Sequence, residues 1–108
     1  MEQGFTEKDW KLFRQKITGW QEAYMDSLNK EYIELLSSGG SPSEKFWELE
    51  KRIREDKKSA GVQVEMRRSR LIYNILNLIS EGVIALEDLQ EFSGELKETV
   101  RFLGGMGL

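Results

Sequence analysis

In the first third of the chain, apolar residues recur at Trp10, Phe13, Ile17, Trp20, Tyr24, Leu28, Tyr32 and Leu35, always three or four positions apart. That spacing keeps one stripe on one face of a helix for about eight turns. A rod of about 45 Å leaves the rest of the chain little choice but to pack along it as further helices. The rod has a legible start. Thr6 and Asp9 stand as N-cap and acidic N3 residue, with Phe5 placed to staple the entry. Gly19 costs about 1 kcal/mol relative to alanine and does not interrupt the stripe.

"SSGGSPS" (37–43) ends this helix and opens the next, with Ser41, Pro42 and Glu44 as N-cap, N1 and N3. Phe46, Leu49 and Ile53 mark the expected buried side of the second helix, with Trp47 near its edge. In "GVQVEM", Val62, Val64 and Met66 alternate with polar residues, a period of two that reads as a short extended connector over 62–66. It pairs with a copy of itself in a second chain, links two helices, or forms the first turn of the next one. Leu71, Ile72, Ile75, Leu76, Leu78 and Ile79 give a wide apolar face, opposed by a polar seam that includes Asn74, Asn77 and Glu81. The expected architecture is all-α: a single domain spanning 1–108, with helices at 6–37, 42–57, 69–81 and 86–103. The last helix turns Leu86, Leu89, Phe92, Leu96, Val100 and Leu103 inward, and 103–108 reads as a frayed tail.

The chain has no cysteine and no histidine, so disulfides, thiolate nucleophiles, structural zinc and imidazole catalysis are excluded. The expectation is a non-enzymatic protein without cofactor. Paired carboxylates one turn apart, Glu44 with Glu48 and Glu91 with Glu95, read as surface charge. The glycine-serine loop lacks the lysine of a phosphate-binding loop. "LIYNILNLIS", the longest uncharged apolar run, is about half of a membrane span, and the acidic beginning is unlike a secretion signal. A cytoplasmic location is expected.

"SEGVIALEDLQEF" (80–92) resembles half of a calcium-binding loop, with Gly82, Ile84 and Asp88 at the sixth, eighth and twelfth positions. The first, third and fifth positions then fall on Asn77, Ile79 and Glu81, and isoleucine offers calcium no oxygen. The reading that accounts for more residues is a turn. Gly82 takes the left-handed conformation after the third helix, and Val83 and Ile84 return to the core.

The segment 51–70 carries a net charge of +5 in a chain of net −3. Its band comprises Lys51, Arg52, Arg54, Lys57, Lys58, Arg67, Arg68 and Arg70. Such a band suits phosphate, and "LISEGVIALEDL" has the outline of a helix-turn-helix. The helix that would enter the groove is acidic at Glu87, Asp88, Glu91 and Glu95, so nucleic-acid binding is the alternative rather than the main reading. A third reading makes Trp10, Phe13, Trp20 and Tyr24 the wall of a small-molecule pocket, although aromatics at this spacing more often fill a core.

"EKDWKLF", "PSEKFW" and "EGVI" resemble stretches of small uncharacterised all-helical bacterial proteins, some labelled multidrug-transporter related. The resemblance implies a helical module and brings no characterised site. A pump is not implied, since a chain without a spanning segment cannot form one. The leading expectation is a protein-interaction or regulatory module that pairs as a homodimer through Trp20, Tyr24 and Tyr32 or through Val62, Val64 and Met66.

Overall fold

The computed structural model describes residues 4–107. They form an all-α fold, with α1 at Glu7–Ser37, α2 at Pro42–Asp56, α3 at Leu71–Ser80 and α4 at Gly94–Gly107. Thr6 and Asp9 form the capping box of α1, and Ser41 and Glu44 that of α2 with Pro42 in its first turn. Phe5 and Trp10 are both buried in the core.

The core sits at one end of α1. Phe13, Leu71, Ile75, Leu78, Leu89, Leu96 and Val100 are fully buried there, contributed by α1, α3, α4 and the turn between the last two. Phe13 packs on Trp10 at 6.3 Å between ring centres and edge-on to Trp20 at 6.1 Å. Trp20 in turn lies 6.3 Å from Phe92. The aromatic stripe therefore fills the space between helices.

The third helix ends as its sequence implies. Gly82 has φ +77°, Val83 N–H bonds the Leu78 carbonyl at 2.9 Å, and Gly82 N–H bonds the Ile79 carbonyl at 3.0 Å. These are the two bonds of a Schellman cap. Ile84 then enters the core.

Beyond the cap the expected helix over 86–103 divides. Ala85 N–H donates to Asp88 Oδ2 at 2.8 Å, which closes a single 3-10 turn at Leu86–Leu89. α4 starts afresh where the Ser93 hydroxyl accepts from Leu96 N–H at 3.1 Å. Ser93 is itself held by Asp9, which accepts its N–H at 2.8 Å and its hydroxyl at 2.6 Å. One carboxylate thus caps α1 and pins the start of α4 from 84 residues away. Leu86 and Leu103, expected inside, are exposed: Leu86 falls in the separate 3-10 turn, and Leu103, on the same face as Leu96 and Val100, borders an open groove against α3. Residues 103–107 of the tail are helical, and Leu108 lies outside the described residues.

Residues 57–67 contain no strand. Val62 and Val64 are half-buried while Gln63 and Glu65 are exposed, so the period of two belongs to a connector lying across α1. Two residues read as a polar seam hold it: Glu81 accepts from Ala60 N–H and the Ser59 hydroxyl at 2.8 Å each. Asn74, buried rather than solvated, donates to the Glu65 carbonyl at 2.9 Å.

Candidate functional site

The second half of α1 leaves the core and, with α2, forms a two-helix arm. The molecule measures 56 × 28 × 22 Å with a radius of gyration of 16.7 Å, where a compact chain of this length would have about 13 Å.

The two helices of the arm meet along a largely polar seam. Tyr32 Oη donates to Asp56 Oδ2 at 2.6 Å, Arg52 reaches Glu31 at 2.6 Å, and Lys45 Nζ donates to the Leu36 carbonyl at 3.1 Å. The Arg52 guanidinium also lies 5.6 Å from the centre of the Tyr32 ring. Burial and the bond to the Asp56 carboxylate push the Tyr32 hydroxyl up to about 12. On α2 the half-buried residues facing this seam are Lys45, Leu49, Arg52 and Asp56, which recur three and four apart.

This pairing overturns the expected burial of α2. Phe46 follows Lys45 and therefore points about 100° away from the seam, and Ile53 does the same after Arg52. No residue of α2 is fully buried. Phe46 and Trp47 are each 63% exposed, packed edge to face with ring centres 5.0 Å apart.

Phe46, Leu49 and Ile53 line a shallow groove with Glu50, Arg54 and Lys57. Ile53 and Lys57 continue it into a second one, shared with Met25, Leu28, Asn29 and Tyr32 of α1 and with Val62. Ile33 and Leu36, both exposed, lie one turn beyond Asn29 and Tyr32 and extend the same side. One side of the arm thus carries two adjoining, largely apolar grooves edged by Asn29, Glu50, Arg54, Asp56 and Lys57.

The residues singled out in the sequence are mostly engaged elsewhere. Trp20 packs against the core. Tyr24 covers Gly61 so closely that a Cβ there would lie 2.3 Å from its ring. Tyr32 closes the seam, and Val64 and Met66 line a separate cleft with Arg14 and Ile17. Only Tyr32 and Val62 of that set border the arm's apolar side.

The basic band is divided among carboxylates. Arg52 pairs with Glu31, Arg54 with Glu50, Arg68 with Glu7 at 2.7 Å, and Arg67 and Arg70 with Glu65 at 2.8 and 3.5 Å. Lys57 and Lys58 are exposed. The missed signal was in α2 itself: adjacent aromatics in "EKFWELEKRI" span more of the helix circumference than one buried stripe can hold.

An apolar groove of about 420 Å³ lies between α3 and α4, lined by Leu76, Ile79, Leu86, Val100 and Leu103, with Asn77, Ser80 and Arg101 as polar members. Among the described residues its lining has no aromatic, and Trp10, Phe13 and Trp20, the pocket wall of the third reading, fill the core instead. Among the described residues no group of three or more His, Cys, Asp or Glu could hold a metal ion, and no helix is long and apolar enough to cross a membrane. Comparison with protein-family models, curated proteins and solved structures returned no match.

Proposed function

We propose that this chain is a non-enzymatic protein-interaction module whose working surface is the apolar side of the arm. The observation that carries the reading is Phe46, a large aromatic left 63% exposed beside Ile53 in the α2 groove, with the equally exposed Trp47 packed against its outer edge. Exposed apolar side chains are ordinary when scattered, whereas a contiguous patch with central aromatics has the composition of interface hot spots. Two antiparallel helices with an apolar furrow along one side suit a helical partner, which lays its own apolar face into the groove. Phosphate binding along the basic band would have to displace carboxylates already placed on five arginines.

The test is photo-crosslinking in the native cell with a photoreactive phenylalanine analogue at Trp47, and at the exposed Glu98 as control. The expected result is a discrete crosslinked species from position 47 and none from 98. Equal, diffuse crosslinking from both would overturn the reading.

A further inference from the structure

We infer that the occupant of the arm's apolar side is the arm of a second copy of this chain, the two running antiparallel about a two-fold axis. The inference rests on the arm being the interaction surface.

The first argument is charge. The tip, residues 31–50, carries Glu31, Glu34, Glu44, Glu48 and Glu50 against Lys45, a net charge of −4. The root, residues 21–30 and 51–58, carries six basic and four acidic residues, a net charge of +2. Glu31 and Glu50 already pair with Arg52 and Arg54 of the same chain. It is the net excess, acidic at the tip and basic at the root, that an antiparallel two-fold brings together twice by one operation. A parallel pairing would set tip against tip.

The second argument is area. Phe46, Ile53, Ile33 and Leu36 are exposed on this side and present on the order of 400 Å² per chain, with Trp47 at the edge against Phe46 adding on the order of 150 Å². Two such surfaces facing each other bury up to about 1,100 Å², at the lower limit of specific interfaces.

The third is length. Residues 21–37 of α1 extend about 25 Å past the core, and the 15 residues of α2 about 22 Å. Two arms of that size overlap fully, tip to root, as a four-helix layer with the cores at opposite ends.

Sedimentation of the purified full chain should show a reversible dimer with a dissociation constant in the micromolar range or tighter. That constant should weaken several-fold between about 50 and 500 mM salt. Phe46→Glu and Trp47→Glu should each weaken dimerisation at least 100-fold while keeping the far-ultraviolet spectrum and, at concentrations where all proteins are monomeric, the melting temperature, since both side chains are exposed.

Because the chain has no cysteine, orientation can be read by oxidative crosslinking of Ser43→Cys at the tip and Lys57→Cys at the root. Antiparallel arms give a disulfide in an equimolar mixture of the two variants and little in either alone. Disulfides within each single variant, without enrichment in the mixture, would overturn the arrangement. A monomer of 12.6 kDa persisting at about 100 μM would overturn self-pairing altogether. If position 47 still crosslinked to a different protein in cells, the interaction reading would stand while the second copy as occupant failed.

Discussion

Asp9 shows how much one side chain can organise in a domain of this size. Burial opposes its charge, but hydrogen bonds from the Ser93 hydroxyl and N–H and from Thr6 outweigh it and hold the carboxyl below the usual aspartate range. A group with a depressed folded pKa contributes stability that is present above its unfolded value, near 4, and is lost as pH falls through the folded one. Melting temperature should therefore decline below about pH 4, and Asp9→Asn should flatten that acid limb. The same substitution should cost about 1–3 kcal/mol at neutral pH, because an amide N–H₂ would face donors that need an acceptor. Gly82→Ala should cost about 1 kcal/mol from the left-handed backbone alone, since nothing lies within 4 Å of the added Cβ. Gly61→Ala should act differently: its Cβ meets the Tyr24 ring at 2.3 Å, so the ring must swing away from the connector. Its predicted cost is about 1–3 kcal/mol in chemical denaturation, with a matching change in tyrosine fluorescence.

At the scale of elements, the arm and the core are held by different forces. The core buries its apolar residues fully, whereas α2 rests on α1 through hydrogen bonds and ion pairs at partly solvated positions, each worth little alone. Hydrogen exchange should therefore be faster in α2 than in α3. Tyr32→Phe should speed exchange in α2 further while leaving α3 unchanged. The tyrosine also sets a pH limit. Its hydroxyl titrates near 12 when folded and near 10 when free, so the stability it contributes is complete below about pH 10 and is lost as pH rises through 12. Absorbance titration should show a late-titrating tyrosine that is lost in Tyr32→Phe.

For the molecule as a whole, exposure at the arm predicts that Phe46→Ser combined with Trp47→Ser leaves the melting temperature of the dilute monomer within about 2 °C. Small-angle scattering of that variant should still report an extended particle near the observed radius of 16.7 Å rather than the roughly 13 Å of a compact one. A large loss of stability would mean that the two aromatics support the fold rather than a contact with another chain.

Local rules were enough to read both capping boxes, the glycine cap at Gly82, the helical class, the buried face of α1 and the apolar part of that of α3. Each of these depends on residues a few positions apart, whose backbone bonds and side-chain spacing make the same demand in any context. The restart at Ser93, the clamp of Glu81 on the connector and the rotation of Phe46 away from α1 were decided only in three dimensions. Ser93 needs Asp9, and Glu81 needs Ser59 and Ala60, partners far away in the chain. The periodicity of α2 showed that it has an apolar face without saying which neighbour would cover it. In the folded chain Arg52, Asp56 and Lys45 found carboxylate, hydroxyl and carbonyl partners on α1. With those polar contacts facing α1, the Phe46 and Ile53 ridge was left on the outside.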